Sequence, residues 1–304
     1  MTVSAPERVA VLMGGPSTER DISLMSGDYV LECLRSFGTA AHPCVVGKDC
    51  AFELPEGTEV AYIALHGIFG EDGQVQRLLE ARGIPYTGDR ADACARAFDK
   101  VASKRCLLAH GVPVPAAVFL SRPAAGEPLP PPPPAAAFPL VVKPARQGSS
   151  VGMSLVKDPS GWDKALETVF ALDAEGLAET YIPGREFTVG IVAGEALPVL
   201  EICMERETFD FGAKYTAGAV THRFGTLPPE EEARVKKIVL DAAAALDCRA
   251  LGRVDLRRND AGEFFVLELN NTPGFTKLSL LPDEARAAGR TPADLCREIL
   301  LAAH

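Results

Sequence analysis

The chain has 304 residues, of which 47% are hydrophobic and 24% charged, and its formal net charge is -10 at pH 7. This composition is typical of a globular protein with about two domains, or three small ones. The acidic charge argues against a nucleic-acid-coating protein, and no apolar run approaches the roughly 20 residues that cross a bilayer. The N-terminus shows no export signal and the eight cysteines form no CxxC pair, so we expect a cytoplasmic protein with reduced, mostly buried thiols.

Strands and helices alternate in the first third of the chain. Buried strands are predicted at residues 8–13 and 61–65, and helices at 23–37 and 73–82. The first strand runs into a glycine turn, after which Thr18 and Asp21 stand three residues apart, as in a weak capping box. The alternation predicts an α/β domain with a mostly parallel sheet.

The pattern changes near residue 97, where we expect a second domain to begin. A helix at 99–109, a strand at 117–120 and a hairpin of strands 140–144 and 153–156 are predicted there. A Pro/Ala tract at 123–137 can form neither a helix nor a sheet ladder, so we expect a solvated spacer and favour a docking motif for a proline-binding partner less. Further along, the pattern predicts a helix at 230–246, strands at 251–257 and 263–270, and a closing helix at 291–303.

Two polar side chains end the last predicted strand. Glu268 and Asn270 are two residues apart, and residues i and i+2 of a strand project to the same face. They offer two hard oxygen ligands, the kind that holds Mg²⁺ together with substrate phosphates. Arg253 and Asp255 have the same spacing on the preceding strand, where a structural salt bridge would look the same.

The predicted hairpin tip at 147–152 reads Gln-Gly-Ser-Ser-Val-Gly. Its backbone N–H groups and hydroxyls could wrap a phosphate, although an ordinary hairpin tip has the same composition. It is not a Walker loop, because Lys143 precedes the turn on a strand. Phosphoryl transfer depends largely on positioning and on cations that neutralise phosphates; the candidates are Lys100, Lys143, Lys214 and Arg253.

With these residues assembled, the chain resembles the D-alanine-D-alanine ligases of the ATP-grasp superfamily over nearly its whole length. The resemblance is carried, in order, by Gly14 to Ser23, Leu65 to Gly73, Val142-Lys143-Pro144, Gly148 to Gly152, Ala213-Lys214-Tyr215, Gly252 to Asp255, and Glu268 to Thr276 with Ser279-Leu280. It implies an α/β (α+β) ATP-grasp fold of three domains, with ATP between the second and the third. We predict their boundaries at 1–97, 98–180 and 181–304, the first being a parallel α/β domain. A homodimer and D-alanine as substrate are also implied.

The resemblance also assigns roles to individual positions. ATP would be bound by Lys100, Lys143, Ser150, Glu179, Tyr181, Ile182, Glu186 and Lys214, the glutamates serving adenine and ribose. Mg²⁺, with two ions expected and Mn²⁺ as an alternative, would be held by Asp255, Glu268 and Asn270. The catalytic set would be Glu19, Ser149 and Tyr215, which close the site at the first D-alanine, and Arg253 with the Gly274 N–H, which stabilise the oxyanion. The substrate pockets would include His66, Ser279 and Leu280.

Such ligases phosphorylate the carboxylate of a first D-alanine with ATP, and the amine of a second attacks the acyl phosphate. The implied function is therefore synthesis of D-alanyl-D-alanine for peptidoglycan precursors. Tyr215 favours the amine nucleophile, because relatives that use D-lactate generally lack a tyrosine there. Three residues depart from the family pattern: Thr180 stands where a lysine is frequent, Phe209 where a tyrosine is usual, and Asn271 where a threonine is usual.

Other functions stay open at this point. The chain could be an ATP-grasp ligase for another D-amino acid or hydroxy acid pair, which only a substrate screen separates. It could also be a catalytically silent ATP-binding regulator, but such a protein is expected to lose metal ligands or the oxyanion arginine, and both are present. An NAD(P)-dependent oxidoreductase is disfavoured, since the turn after the first strand lacks the GxGxxG spacing.

Overall fold

The computed structural model describes Pro6 and residues 8–204 and 220–304. The N-terminal sheet consists of β1 (Arg8–Gly14), β2 (Ala40–Val46) and β3 (Val60–Ile63). The strand order is β2-β1-β3, and both neighbours run parallel to β1. The predicted strands and the parallel character of this part of the chain are confirmed.

Strand β1 is covered on both faces by helices. These include α1 (Arg20–Ser36) and α2 (Gln74–Ala81), close to the predicted helices. Val9, Val11 and Met13 pack into the core that contains the buried face of α1, whereas Ala10 and Leu12 pack into the core that contains α2. Successive side chains of a strand point to opposite faces, so a continuous apolar run feeds both cores.

The second sheet is antiparallel, with the order β4-β7-β5-β6. Its strands are β4 (Ala117–Ser121), β5 (Leu140–Pro144), β6 (Ser154–Val156) and β7 (Glu175–Thr180), and α5 (Trp162–Leu172) covers one face. The predicted hairpin of β5 and β6 is confirmed. The Pro/Ala tract is mostly exposed, and the Trp162 indole N–H anchors it by donating to the Pro130 carbonyl oxygen at 2.8 Å.

The third sheet has the order β11-β10-β8-β12-β13, with β9 paired to β8, and all its pairs are antiparallel. Its strands are β8 (Arg185–Val192), β9 (Glu195–Ala196), β10 (Leu200–Met204), β11 (Val220–Phe224), β12 (Leu251–Arg258) and β13 (Phe264–Asn270). Three helices pack against this sheet: α3 (Ala91–Phe98), α4 (Lys100–Ala109) and α6 (Pro229–Leu246). The strands at 185–204 and the helix α3 had no counterpart among the predictions.

The last two helices, α7 (Leu280–Ala287) and α8 (Pro292–Leu301), return to the N-terminal sheet. Leu281, Ala285 and Ile299 belong to the same core as Val9 and Val11 of β1. The segment that follows β13 is thereby held between the third sheet and the N-terminal sheet. Within the described residues, no helix is both long and apolar enough to span a membrane.

Candidate active site

A cleft opens between the second and third sheets, at the ends of β5, β7, β12 and β13. Among the residues that line it are the predicted site residues Lys100, Lys143, Ser149, Ser150, Glu179, Tyr181, Ile182, Glu186, Asp255, Glu268 and Asn270. The sheet geometry therefore brings together side chains from five separate stretches of sequence. Six other predicted site residues lie outside this lining: Glu19, His66, Arg253, Gly274, Ser279 and Leu280.

Two buried lysines share the carboxylate of Glu179 at the back of the cleft. Lys143 Nζ lies 2.7 Å from Oε2, and Lys104 pairs with Oε1 while it donates to the Pro115 carbonyl oxygen at 2.9 Å. Burial raises the pKa of Glu179, but Lys143 and Lys104 outweigh it and hold the pKa below its usual value. Burial in turn lowers the pKa of Lys143, but Glu179 and Glu268 more than offset it. The three groups therefore stay ionised as a set.

Lys104 was missed by sequence reasoning. It lies on α4 four residues after Lys100, and residues at that spacing share a helix face. Its side chain is 3% exposed, and burial lowers its pKa despite the pairing with Glu179. The i, i+4 spacing from Lys100 was the signal that could have found it.

The outer wall of the cleft is formed by the segment that follows β7. The Tyr181 N–H donates to the Pro139 carbonyl oxygen at 3.1 Å, so this N–H is already used within the protein. None of the described residues accepts a hydrogen bond from the Ile182 N–H. Glu186 lies 3.8 Å from Arg257, whose guanidinium stacks over the Tyr181 ring at 5.3 Å. Thr180, which departs from the family pattern, is exposed beside them.

The Gly/Ser turn between β5 and β6 adopts a constrained backbone. Ser149 and Ser150 have φ angles of 47° and 60°, a left-handed conformation that costs a non-glycine residue on the order of 1 kcal/mol. Lys100 Nζ donates to the Gln147 carbonyl oxygen at 2.6 Å and lies 3.6 Å from Glu268 Oε2. Lys100 thus connects the turn to Glu268 at the floor of the cleft.

Glu19 joins this turn to the N-terminal sheet. Its carboxylate accepts a hydrogen bond from the Ser149 hydroxyl. It also fills the space beside two glycines: a Cβ atom at Gly148 would lie 2.6 Å from Glu19 Oε2, and one at Gly67 would lie 2.9 Å from it. The predicted capping box of Thr18 and Asp21 is wrong, because α1 starts after Glu19 with no side-chain cap hydrogen bond. The Glu19 carboxylate is therefore directed to the turn and not to the helix.

Strands β12 and β13 place four polar residues on one face: Asp255, Glu268 and Asn270 at the floor of the cleft, and Arg253 beside it. Arg253 faces Asn270 and Asp255 faces Glu268 in the antiparallel register. Asp255 receives two hydrogen bonds from Arg253, at 2.9 and 2.8 Å, and one from the Asn270 amide at 3.2 Å. The Thr188 hydroxyl donates to Asp255 at 2.6 Å. Burial lowers the pKa of Arg253, but Asp255 and other carboxylates outweigh it, so the pKa is raised and the guanidinium stays charged.

The donor set on this face fits a hard divalent cation. Two carboxylates and an amide oxygen can supply part of an octahedral shell, which Mg²⁺ completes with water and phosphate oxygens. No group of three or more His, Cys, Asp or Glu side chains that could hold a metal occurs in the ranges 8–204 and 220–304. A metal at Asp255 and Glu268 would therefore depend on a phosphate-bearing ligand in the cleft.

His66 lies buried beneath the segment that follows β13. Its Nδ1 lies 3.0 Å from the Thr272 carbonyl oxygen and its Nε2 lies 3.0 Å from the Ser26 hydroxyl, which also accepts the Phe275 N–H at 3.2 Å. The Thr272 carbonyl oxygen can only accept, so Nδ1 carries a proton, and burial lowers the pKa of His66 to about 4, which favours the neutral ring. Both ring nitrogens are thus used within the protein, so His66 holds residues 272–275 in place.

The same segment contains Gly274, and it leads into α7. A Cβ atom at Gly274 would lie 3.2 Å from the Ser279 hydroxyl oxygen. That oxygen accepts the Thr276 N–H at 2.8 Å, and Ser279 is the N-cap residue of α7, which begins at Leu280. Gly274, Ser279 and Leu280 are therefore brought together.

Asn271 and Glu71 connect this region to the N-terminal loop at 67–73. Asn271 is 2% exposed, and its amide donates to the carbonyl oxygens of Glu71 and Cys94 at 2.8 and 3.1 Å. Glu71 lines the cleft, although sequence reasoning gave it no role beyond its place in a matching motif. Burial, aided by the charge of Glu19, raises the pKa of Glu71 to about 8. The three predictions at Phe209, Lys214 and Tyr215 lie outside the described residues.

Comparison with known proteins shows which family the chain resembles. Residues 51–89 match the family described as D-ala D-ala ligase N-terminus, and residues 131–301 match the family described as D-ala D-ala ligase C-terminus. A D-alanine–D-alanine ligase of Citrifermentans bemidjiense is 46% identical over 98% of this chain and 96% of its own length. The ligase of Methylacidiphilum infernorum is 42% identical over 99% of this chain and 96% of its own length.

This chain belongs to the D-alanine–D-alanine ligase family. The crystal structure of the D-alanine–D-alanine ligase from Bacillus anthracis superposes with a TM-score of 0.84 at 35% identity, covering 98% of this chain and 97% of that one. A structure of the same enzyme complexed with ATP superposes with a TM-score of 0.82. The predicted ATP-grasp fold is therefore confirmed.

Proposed function

We propose that this chain joins two D-alanine molecules into D-alanyl-D-alanine while ATP is converted to ADP and phosphate, and that the dipeptide serves peptidoglycan precursors. A carboxylate oxygen of the first D-alanine attacks the γ-phosphorus, and ADP leaves. The amine of the second D-alanine then attacks the resulting acyl phosphate, loses a proton, and displaces phosphate. Membership of the D-alanine–D-alanine ligase family supports this reaction.

The facing pairs Arg253–Asn270 and Asp255–Glu268 are the observation that carries the proposal. They combine a buried guanidinium with oxygen ligands at one end of a cleft that also holds Lys100 and Lys143. An oxidoreductase would have no use for such a set. A silent regulator would not need the guanidinium, since ATP binding alone requires no oxyanion donor.

In the proposed complex, ATP occupies the cleft between the second and third sheets. Lys100, Lys143 and Lys214 meet the phosphates, and the Gly/Ser turn covers them with the Ser150 hydroxyl and backbone N–H groups. The Ile182 N–H and the Tyr181 carbonyl serve the adenine edge beside Glu179, while Glu186 serves the ribose. The hydrogen bond from the Tyr181 N–H to Pro139 supports the choice of Ile182 as donor.

Asp255, Glu268 and Asn270 would hold Mg²⁺, with Mn²⁺ as an alternative and two ions in all. When bound, the cation neutralises phosphate charge and holds the phosphates in line for attack. Lys100 Nζ lies 3.6 Å from Glu268, and its ammonium group would neutralise phosphate charge together with the metal ion. Asp255 is shared between Arg253 and Thr188, so metal binding there would compete with these hydrogen bonds.

The proposed D-alanine sites lie on the other side of the floor. Glu19 takes the ammonium of the first D-alanine, with the Ser149 hydroxyl and Tyr215 completing the closure. Arg253 and the Gly274 N–H stabilise the oxyanion of the tetrahedral intermediate, and each donor contributes about 3 to 4 kcal/mol in comparable enzymes. Ser279 and Leu280 receive the second D-alanine, and His66 supports Gly274 through the Thr272 and Phe275 contacts.

We further propose a cytoplasmic homodimer whose subunit has domains 1–97, 98–180 and 181–304. The proposed boundary near 97 falls at the break between α3 and α4, where Asp99 caps α4 through hydrogen bonds from the Val101 and Ala102 N–H groups at 3.0 Å. Light scattering of the purified protein tests the dimer. A mass of one chain at micromolar concentration would reject it.

The direct test is phosphate release from ATP and Mg²⁺ with a panel of D-amino acids and D-hydroxy acids, with the product identified by mass spectrometry. We expect D-alanyl-D-alanine as the main product. Faster phosphate release with D-lactate as partner than with a second D-alanine at neutral pH would overturn the proposed nucleophile. ATP binding without product from any pair would support the silent regulator.

A further inference from the structure

Glu284 is a buried carboxyl group to which neither the family motifs nor the proposed reaction assigns a role. It lies on α7, is 0% exposed, and uses one oxygen, Oε1, to accept the Gly190 N–H at 3.1 Å. The other oxygen, Oε2, is buried and has no hydrogen-bond partner among the described residues. An unsatisfied buried oxygen costs roughly 1 to 3 kcal/mol, so a side chain kept in this state calls for an explanation.

The position of the carboxyl group relative to Arg253 is set by the sheet. Gly190 of β8 faces Arg253 of β12 in the antiparallel register, and facing residues project to the same side of a sheet. Gly190 has no side chain, and a Cβ atom there would lie 2.4 Å from Leu281 Cδ1 and 2.6 Å from Glu284 Oε2. The Glu284 carboxyl therefore occupies the space that a larger residue at 190 would fill, beside Arg253.

The charges of the two groups interact. Burial raises the pKa of Glu284 well above its usual value, and Arg253 offsets this only in part. This shift favours the neutral form of the carboxyl group. Asp255 binds the Arg253 guanidinium with two hydrogen bonds.

The helix that carries Glu284 also carries the proposed pocket for the second substrate. Leu280 begins α7 and lies one turn before Glu284, so the two share a helix face. Ser279, the N-cap residue, packs beside Gly274. The hydrogen bond from the Gly190 N–H to Glu284 is therefore a polar link between this helix and β8, the strand paired with the one that carries Arg253.

We propose that Glu284 is a positioning residue for the second substrate: its carboxyl group fastens α7 to the backbone of Gly190, and so holds Ser279 and Leu280 at a set distance from Arg253. This inference rests on the proposed function. It predicts that Glu284 affects the second D-alanine far more than ATP or the first D-alanine, since neither of the latter is bound by α7.

The test compares steady-state constants for ATP and for the two D-alanine sites in Glu284→Ala, Glu284→Gln and wild type. We expect Glu284→Ala to raise the KM of the second D-alanine at least tenfold, with the other two constants within twofold. Glu284→Gln keeps an acceptor oxygen for the Gly190 N–H and should restore that KM to within threefold of wild type. Glu298→Gln, a half-exposed glutamate on α8, is the matched control and should change nothing.

Gly190→Ala disturbs the contact with Glu284 from the β8 side, and it is the test variant if Glu284→Ala does not fold. Its added methyl group would displace both Leu281 and the Glu284 carboxyl on α7, so the same selective rise in the KM of the second D-alanine is expected. Equal changes in all three constants, or none, in the folded variants would overturn the positioning role. If wild type makes no dipeptide from D-alanine, the proposed function fails instead, and the two failures are distinguishable.

Discussion

The two halves of the site differ in the ionisation of their buried side chains. The nucleotide half comprises Lys104, Lys143 and Glu179, whose opposite charges pair directly and stay ionised. We call His66, Glu71 and Glu284 the substrate half, although Glu71 also lines the cleft; burial shifts each of their pKa values toward the neutral form. A polyanion requires fixed cations, whereas a reactive acyl phosphate benefits from surroundings that exclude water.

The difference also predicts which half responds to pH. Glu179 and Lys143 have pKa values moved away from neutrality, so their pairing should persist from mildly acidic to alkaline solution. Glu71, with a pKa of about 8, should change charge within that range. Substitutions in the nucleotide half and in the substrate half should therefore differ in the kinetic constants that they change and in their pH dependence.

The largest effect is expected for Arg253→Met. Loss of the oxyanion donor should lower kcat by about 10²- to 10³-fold, while the dissociation constant of ATP stays within threefold, because Arg253 lies outside the cleft lining. Coupled ADP-release kinetics and ATP calorimetry measure the two quantities. If Arg253→Met weakened ATP binding by the same factor by which it lowered kcat, the nucleotide half and the substrate half would not act independently.

Lys104→Met should have the reverse signature. Without Lys104, Glu179 would draw on Lys143 alone and leave less cationic charge for the phosphates. We expect the KM of ATP to rise about tenfold, or about 1.4 kcal/mol, with both D-alanine constants within twofold. Lys164→Met, at an exposed position of α5, is the control. A change in the D-alanine constants alone would contradict the assignment of Lys104 to the nucleotide half.

Glu71→Gln tests the neutral substrate half through stability. The folded-state pKa of Glu71, about 8, exceeds its unfolded value of 4.5, so wild type loses stability as pH rises from about 4.5 to 8. The variant lacks this loss, so its free energy of unfolding should exceed that of wild type by about 1 to 3 kcal/mol at pH 7. At pH 4 the two values should be equal. Urea unfolding at several pH values measures it. A stability difference between variant and wild type that stays constant across pH would show that the pKa of Glu71 is not raised in the folded state.

The smallest effect is expected for Asn271→Thr, which restores the residue usual in the family. A threonine hydroxyl can donate only one hydrogen bond, so one of the carbonyl oxygens of Glu71 and Cys94 would lose its amide partner. We expect a loss of about 1 kcal/mol in the free energy of unfolding and little change in kcat. Thermal and urea unfolding check this. Unchanged or greater stability would mean that the two amide hydrogen bonds contribute nothing.

The floor of the site could be predicted because strand periodicity alone places Glu268 with Asn270 and Arg253 with Asp255. The hairpin tip followed for the same local reason, from two strands and a Gly/Ser turn between them. Lys104 shares a helix face with Lys100, which is a local signal, but its pairing with Glu179 could not be assigned. The same holds for the contact of Glu284 with Gly190, since these partners are 75 and 94 residues away and only the fold joins them. His66 was expected near a substrate, and its hydrogen bonds to Ser26 and Thr272 instead give it a supporting role.

The contrast between the halves is tested most directly by carboxyl ¹³C NMR of the protein labelled in glutamate, titrated from pH 5 to 9. The signals are assigned with Glu71→Gln and Glu179→Gln. We predict that the Glu179 resonance stays at its ionised position throughout, and that the Glu71 resonance moves with a midpoint near pH 8. A Glu71 carboxyl already ionised at pH 6, or a Glu179 carboxyl that titrates within this range, would contradict the account.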